Sequence, residues 1–288
     1  MVADYLGTAR GVRCTSDQVI IVAGIQQALD LTARIVLDPG DRVWIEDPCF
    51  FGVVTMFTAL GAKVVPVPVD RFGLNVTEGV RRYRRAKLAN VTPAIGFRWG
   101  PIPALQGQDC SESVVFACSF SKLLFPSLRL GYLVPPASLV DKFAAARYDM
   151  DRHSAIIDQA IMCDFITAGH FGRHIRHMWQ IYAKRLDTLR ASVDKRVGEL
   201  MTIPGTEVGV QTVGWLRQDL DSDAITKALL AKNAEVLPIS RLTISATTPP
   251  GLLLFGAVEE PEILRGVDCL ASPLRDFIKH KPEMGIAV

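Results

Sequence analysis

Residues 115–132 read Val-Phe-Ala-Cys-Ser-Phe-Ser-Lys-Leu-Leu-Phe-Pro-Ser-Leu-Arg-Leu-Gly-Tyr. An apolar run typical of a buried strand leads into a serine-rich turn that carries one lysine, Lys122. Open α/β sheets bind ligands at the carboxyl ends of their strands, so this lysine stands where a ligand is expected. In an apolar environment its amine loses a proton more easily, and a lysine that attacks a carbonyl carbon requires this.

Polar residues around the lysine suit an anionic ligand. Ser119 and Ser121 offer hydroxyl donors, and Arg129, seven residues after Lys122, offers a fork of donors that matches a phosphate. Together these residues describe a site for a phosphorylated aldehyde. Ser-x-Ser-Lys alone is a weak pattern, so an ordinary loop with a solvated lysine remains the alternative at this point.

The residues before this stretch alternate between apolar runs and helical patterns. Predicted strands cover 18–22, 42–46 and 63–69, and predicted helices cover 26–37 and 52–60. Strand, helix, strand, helix, strand is the order typical of a parallel α/β sheet.

One connection between predicted strands is too short for a parallel crossover. Residues 96–107 connect a possible strand at 87–94 with the strand at 114–119, and they are rich in Gly and Pro without a helical pattern. A parallel crossover needs a helix and roughly 30 residues for a whole βαβ unit. We therefore expect one strand–helix unit of the sheet to be absent.

The character of the sequence changes after Lys122. Helices are predicted at 137–150 and at 156–193, the second broken near Gly169, and the last hundred residues alternate short strands with helices. Predicted strands here are 211–217, 235–239 and 252–257, and predicted helices are 222–231 and 261–270. The prediction is a large domain over 1–170 and a small C-terminal α/β domain over 171–288.

Composition limits the classes of function. Apolar residues make up 49% of the chain and the net charge is +2, which predicts a packed core and no nucleic-acid partner for this chain alone. The basic run at 81–85 is interpreted as a solvated helix face rather than a phosphate-binding patch. No signal peptide or membrane-length apolar run is visible, so we expect a cytoplasmic protein that does not contact a membrane.

Metal and disulfide sites are not expected. The six cysteines show no CxxC or other paired spacing. His170, His174 and His177 share a helical stretch, but no nearby carboxylate or cysteine completes a ligand set. A basic helix face is the better interpretation of these histidines.

The lysine segment resembles that of the class I/II aminotransferases, which bind pyridoxal 5′-phosphate (PLP) on fold type I. It is similar in particular to the aminotransferase-like domain of the MocR group of GntR-family transcriptional regulators. Further stretches agree in order along nearly the whole chain, at 5–14, 22–31, 38–48, 101–107, 151–154 and 169–176. The resemblance implies a mostly parallel large-domain sheet, here without one strand–helix unit, and a small C-terminal α/β domain.

The resemblance also implies roles for residues around the lysine. Lys122 would form a Schiff base with PLP as the catalytic residue, and Arg129 and Ser119 would bind the phosphate, with Ser121 a weaker candidate.

More PLP contacts are implied nearer the start of the chain. Gly24, Ile25 and Gln26 match the turn that opens a helix beneath the phosphate, where free backbone N–H groups and the helix dipole favour an anion. A plain strand-to-helix turn is the alternative for Gly24. Phe50 falls where the family has an aromatic residue near the cofactor ring, and a simple core phenylalanine is its alternative.

The sequence departs from the family after Thr92-Pro93. The family continues there with a crossover helix and a strand ending in an aspartate that pairs with the pyridine nitrogen of PLP. Without that carboxylate the ring is a poorer electron sink, so proton abstraction at a substrate's α-carbon should slow. Asp47 and Asp109 are the nearest acids in sequence, and both are interpreted as turn or cap residues.

A second departure concerns the substrate. Related regulators have an arginine that holds a carboxylate where this chain has Gly52, and Arg241 is interpreted as a surface residue rather than its replacement.

Three functional hypotheses remain open on the sequence. The first is transamination of an amino acid or amine, the second is a non-catalytic PLP domain that senses an effector amine, and the third is a degenerate, inactive fragment. We expect a homodimer, because this fold usually completes its site across a two-fold interface. The sequence given begins without the winged helix-turn-helix of MocR proteins, so operator binding by this chain alone is not expected.

Overall fold

The computed structural model describes residues 1–70, 73–92, 104–121, 123–205 and 210–279 of the 288-residue chain. In its first half, strands and helices alternate much as the sequence predicts. They are α1 (Val2–Arg10), β1 (Ile20–Val22), α2 (Ile25–Val36), β2 (Arg42–Asp47), α3 (Phe51–Ala59), β3 (Lys63–Asp70), β4 (Gly73–Leu74), α4 (Val76–Arg82), β5 (Leu88–Asn90), α5 (Leu105–Gln108), β6 (Phe116–Ser119) and β7 (Gly131–Val134).

The second half begins with three helices and ends in a smaller sheet layer. Its elements are α6 (Val140–Asp151), α7 (Ile156–Thr167), α8 (His170–Val197), β8 (Met201–Thr202), β9 (Gln211–Leu216), α9 (Ser222–Leu230), β10 (Leu237–Pro238), β11 (Gly251–Phe255) and α10 (Glu260–Lys279). The predicted break near Gly169 is confirmed, because Gly169 has a φ of 71° between α7 and α8. The last helix is longer than predicted and continues through Pro273.

One sheet of the large domain has the strand order β4-β3-β2-β5. Strand β2 lies parallel to both β3 and β5, with Ile45 opposite Pro66 on one side and Asn90 on the other. The carboxyl ends of these parallel strands therefore meet at one edge, as a parallel α/β architecture requires.

A second sheet of the large domain has the order β1-β7-β6. The central strand β7 is antiparallel to both neighbours, so β1 and β6 run in the same direction. Gly131 lies opposite Val22 at the end of β1 and opposite Ser119 at the end of β6. The turns that follow β1 and β6 are therefore brought to the same corner of the sheet.

The two sheets of the large domain are not joined among the described residues. Strand β5 ends one sheet and β6 ends the other, and neither strand contains a buried residue, whereas all four residues of β7 are buried. Residues 93–103, which connect β5 towards β6, lie outside the described part of the chain. The division falls at the place in the chain where the sequence predicts the loss of a strand–helix unit.

Two apolar cores dominate the packing. The Phe120 core surrounds Phe120 and Phe171 and includes Leu6 and Tyr132, with Leu123 and Leu124 packed against it. The C-terminal core contains the second half of α8, α9, α10 and the inner face of the antiparallel sheet β10-β11-β9-β8. Helix α8 contributes to both cores, so the predicted domain boundary at residue 170 stays a prediction.

None of the helices in the described ranges is long and apolar enough to cross a membrane.

Candidate functional site

The turn between β1 and α2 presents the amino end of a helix. Gly24 caps α2 with a φ of 98° and a ψ of −177°, a conformation that is essentially restricted to glycine. The N–H of Ala23 donates to the side-chain oxygen of Gln27 at 2.6 Å, which fixes the entry into the helix. A helix leaves its first N–H groups without intrahelical partners, and with the helix dipole they favour an anion at this turn.

Arg129 lies over this glycine. A Cβ atom built on Gly24 would lie 3.6 Å from the guanidinium carbon and from both terminal guanidinium nitrogens of Arg129. On the other side, a Cβ built on Gly131 would lie 3.0 Å from the Cα of Gly24 and 2.8 Å from the carbonyl oxygen of Cys118. The absence of side chains at both glycines lets the helix turn, β7 and the arginine approach one another.

The serines of the lysine turn lie at the same corner. The Ser119 hydroxyl donates to the Leu130 carbonyl at 3.3 Å and accepts from the N–H of Ser121 at 3.1 Å. The Ser121 hydroxyl oxygen is buried and has no hydrogen-bond partner in the described parts of the chain. A buried hydroxyl without a partner costs about 1–3 kcal/mol, which a bound phosphate oxygen would relieve.

Lys122 itself lies outside the described residues, although its neighbours on both sides lie within them. The N–H of Phe120 donates to the Leu130 carbonyl at 2.9 Å. The N–H groups of Leu123 and Leu124 each donate to the Phe120 carbonyl at 3.0 Å. The residues that flank the lysine therefore form a hydrogen-bonded turn, which is bonded to Leu130, the residue that follows Arg129.

Phe50 lies at the amino end of α3 and is 64% exposed, so it is not a core residue. A Cβ atom built on Gly52 would lie 2.5 Å from Cε1 of the Phe50 ring and 3.0 Å from the side-chain nitrogen of Gln26. Phe50, Gly52 and Gln26 are thus close together, and the ring fills the space that a side chain at position 52 would enter. Ile25, the first residue of α2, is also exposed.

The two acids nearest in sequence are engaged elsewhere: Asp109 closes a turn, as predicted, whereas Asp47 is the last residue of strand β2 and not a turn or cap residue. The buried Asp47 carboxylate accepts from the backbone N–H groups of Ile244, Ser245 and Ala246 at 2.7–2.8 Å, and from the Ser245 hydroxyl. This aspartate thereby ties the end of β2 to the C-terminal domain.

Asp109 closes an exposed loop. Its carboxylate accepts from the N–H groups of Ser111, Ser113 and Val114 at 2.7–2.9 Å. These bonds and the Ser111 hydroxyl lower the pKa of Asp109 to about 2. Like Asp47, this carboxylate is used by the protein's own backbone.

Glu46 is a buried acid that sequence reasoning missed. Its carboxylate accepts from the N–H of Thr92 at 2.8 Å and so joins the ends of β2 and β5. Burial raises the pKa of Glu46 to about 7, and the hydrogen bond from Thr92 acts in the opposite direction. The available signal was an acidic residue inside the apolar run that was predicted to form β2.

The structure also bears on two other kinds of site considered from sequence, a metal site and an arginine that would bind a substrate carboxylate. Within the described ranges no group of three His, Cys, Asp or Glu residues is arranged to hold a metal ion. Arg241 is exposed, and its Nε lies 3.8 Å from an Asp223 carboxylate oxygen. This geometry agrees with a surface arginine.

The residues present fit one end of PLP better than the other. A phosphate suits the turn at Gly24, the Arg129 guanidinium above it and the unpartnered Ser121 hydroxyl nearby. For the pyridine nitrogen, the two acids considered from sequence, Asp47 and Asp109, are already bound to backbone N–H groups. The residues present therefore support binding of the PLP phosphate more strongly than protonation of the pyridine nitrogen.

An apolar surface lies on α7. Ile156, Ile157 and Ile161 are all more than 60% exposed, and Tyr148 and Met150 of α6 are exposed beside them in sequence. Such a cluster is typical of a protein–protein contact.

Comparison with known proteins agrees with this geometry. Residues 1–95 match the family described as aminotransferase class I and II. The chain is 32% identical to the probable rhizopine catabolism regulatory protein MocR of Rhizobium meliloti, over 94% of this chain and 62% of that protein. It is 22% identical to the 2-aminoadipate transaminase of Thermus thermophilus, over 79% of this chain and 67% of the relative.

The alignments also compare the length of this chain with that of its relatives. The chain spans 62–65% of the length of MocR and of two Bacillus subtilis HTH-type transcriptional regulators, YdeL and YhdI. The MocR alignment has 308 positions, but 94% of 288 residues is only about 271, so about 37 positions face gaps in this chain. That number is close to the size of a whole βαβ unit, roughly 30 residues or more.

Solved structures show the same fold. Kynurenine aminotransferase of Pyrococcus horikoshii superposes with a TM-score of 0.85 at 20% identity, over 98% of this chain and 80% of that chain. The α-aminoadipate aminotransferase LysN of Thermus thermophilus gives a TM-score of 0.81 at 20% identity, over 96% and 80%.

Proposed function

We propose that this chain, whose residues 1–95 match the aminotransferase class I and II family and whose fold is that of PLP-dependent fold type I, binds PLP through Lys122 and acts on the amino group of an amino acid or small amine. The observation that carries the proposal is the Arg129 guanidinium lying over the Gly24 turn, at the corner of the sheet where Ser119 begins the lysine turn.

The chain's own residues divide the work of binding. Arg129 would pair with the phosphate from one side while the N–H groups at the start of α2, from Ile25 and Gln26, receive it from the other. Ser119 would hold the turn through its two hydrogen bonds, and Ser121 would donate its free hydroxyl. Phe50, exposed beside Gln26, would cover a face of the ring.

Bound PLP supplies an electron-withdrawing ring that acidifies the carbon next to a captured amine. The Lys122 amine would act as the nucleophile that holds the cofactor and as the base that carries the proton between carbon atoms. With Asp47 and Asp109 bound to backbone, a protonated pyridine nitrogen lacks support from either of them. We therefore propose amine capture as the efficient step and transamination as the slow one.

The primary test is chemical labelling of the lysine. The protein is incubated with PLP, reduced with borohydride and digested, and the modified peptide is identified by mass spectrometry. Label is expected at Lys122 and should vanish in Lys122→Ala, while Lys142→Ala on the exposed side of α6 serves as the control. Equal labelling of several lysines, unchanged in Lys122→Ala, contradicts the proposal.

A second candidate function is ligand sensing without turnover. The separation of β5 from β6 among the described residues supports it, because the strand–helix unit that the resemblance implies is absent would end in the activating carboxylate. The similarity to MocR, which is named as a regulatory protein, points the same way. A visible absorbance change on adding amine, with no product formed from an added keto acid, favours sensing over transamination. Colourless, aggregating protein would instead identify a degenerate fragment.

We also propose that the chain forms a homodimer. The isoleucines exposed on α7 offer an apolar surface, and a two-fold contact would bury it on both subunits at once.

A further inference from the structure

A histidine of α8 is bonded to the lysine turn. The Nε2 atom of His174 lies 2.9 Å from the carbonyl oxygen of Leu123, 51 residues earlier in the chain. Because a carbonyl can only accept, Nε2 must carry the hydrogen, so the imidazole is the donor. Leu123 directly follows Lys122.

This bond differs in kind from the others that hold the turn. The bonds from the N–H groups of Leu123 and Leu124 to the Phe120 carbonyl lie within the turn itself. The His174 bond instead connects the turn to a separate helix. Leu123 and Leu124 also pack on the Phe120 core, to which α8 contributes Phe171 and Ile175. Packing and hydrogen bonding therefore fix the turn against the same helix.

The orientation of the imidazole is itself restrained. The rings of Phe165 and His174 have centroids 6.3 Å apart, and Phe165 also stacks on His170 at 5.8 Å with an interplanar angle of 18°. An aromatic side chain of α7 thus limits the rotation of the His174 ring. A donor held in this way defines the direction of the Leu123 carbonyl and therefore of the Leu123–Leu124 peptide unit.

We propose that His174 is a positioning residue, which orients the Lys122 amine toward the cofactor by fixing the Leu123 carbonyl to α8. This inference rests on the proposed function, since it concerns the lysine that would hold PLP. His174 has no role in the chemistry itself.

Three variants test the inference in full-length protein reconstituted with PLP. His174→Leu removes the donor, His174→Gln keeps an N–H donor on a side chain of similar reach, and His177→Gln changes an exposed histidine of the same helix. The readouts are the visible circular dichroism of the bound cofactor, its Kd, and the melting temperature of the apo protein. Visible circular dichroism reports cofactor orientation, which general destabilisation does not move.

The expected result is a changed visible circular dichroism spectrum and a Kd raised about tenfold in His174→Leu, the effect of a hydrogen bond of about 1.4 kcal/mol. His174→Gln should stay within about twofold of the wild type, and His177→Gln should match it. If His174→Leu does not fold, His174→Asn takes its place, because its shorter side chain does not reach the carbonyl.

Two outcomes overturn the inference. In one, His174→Leu lowers only the melting temperature and leaves the spectrum and Kd unchanged, so the role is packing alone. In the other, His174→Gln is impaired as strongly as His174→Leu, so the hydrogen bond is not responsible. Failure of borohydride labelling at Lys122 in the wild type would instead remove the proposed function, and this inference with it.

Discussion

Gly24 is the residue where backbone conformation and anion binding meet. Its φ of 98° with a ψ of −177° is a region that costs other residues about 1–3 kcal/mol. A Cβ atom there would also stand 3.6 Å from the Arg129 guanidinium, in the space that we propose for the phosphate. Gly24→Ala should therefore lower the melting temperature and weaken PLP binding more than tenfold, as followed by absorbance titration.

Gly40 provides a matched control for this substitution. It has a φ of 95°, and a Cβ atom built on it would meet nothing within 4 Å. Gly40→Ala should thus carry a comparable backbone penalty while PLP binds as in the wild type. Equal loss of PLP affinity in both variants would show that the Gly24 effect is general destabilisation.

Glu46 predicts a pH dependence of stability. Burial raises its pKa from 4.5 to about 7, so the folded chain holds a proton that the unfolded chain has released between those values. Folding stability from this group is therefore fully present below pH 4.5 and falls as the pH rises towards about 7. Glu46→Gln should leave stability near pH 4.5 unchanged and raise it at pH 8 by on the order of 3 kcal/mol.

Denaturant unfolding of both proteins at the two pH values measures this difference. Glu78→Gln, a substitution of a half-buried carboxylate paired with Arg81, should lack the gain at pH 8. A Glu46→Gln variant that loses stability at both pH values would indicate that the carboxylate is ionised and required.

Helix α7 carries the prediction at the scale of elements. Ile157 is 76% exposed and lies beside Ile156 and within a turn of Ile161. Ile157→Asp should leave the subunit folded, because the side chain is not packed, but should place a charge in the proposed interface. Light scattering of the wild type is expected to give twice the subunit mass, and the variant the subunit mass alone.

Val76, an exposed apolar residue at the start of α4, offers the control. Val76→Asp should leave the oligomeric state unchanged. A monomeric wild type with PLP bound would contradict the proposed dimer directly.

Local patterns predicted the elements but not their long-range partners. The strand at Arg42–Asp47 and the helix at Ile25–Val36 were predicted to within one residue, because an apolar period and a turn signal act over short distances. The bonds from Asp47 to residues 244–246 could not be predicted, since they join residues almost 200 apart in sequence. The same holds for the His174 bond to Leu123.

The candidate site was predicted in part for the same reason. Gly24 and Arg129 stand in recognisable motifs, and the structure brings them together through the shared pairing of β1 and β6 with β7. The Phe50 ring lying against Gly52 depends on the side-chain conformation, which no sequence period encodes. The role of Lys122 stays a prediction.

At the scale of the whole molecule, the feature to test is the separation of the two large-domain sheets in the described part of the chain. Inserting the corresponding strand–helix unit of the Rhizobium meliloti relative between Thr92 and Ala104 should pair the open edges of β5 and β6. We expect a higher melting temperature and at least a tenfold faster half-reaction with an amino donor, since the family resemblance implies that this unit ends in an aspartate for the ring.

A matched insert in which that carboxylate residue is alanine separates the two effects. It should keep the gain in melting temperature and lose the gain in rate. A graft that accelerates the reaction equally with and without the carboxylate would show that sheet continuity, rather than charge at the ring, limits catalysis.

Helix α8 determines whether the two cores unfold separately or together. Its first turns pack with Phe171 in the Phe120 core, and its last turns place Val193 and Val197 in the C-terminal core. Because α8 contributes residues to both cores, unfolding of one core should disrupt the other. We therefore expect the chain to unfold on heating in a single calorimetric transition. The C-terminal portion is then a part that would not survive excision as an autonomous module.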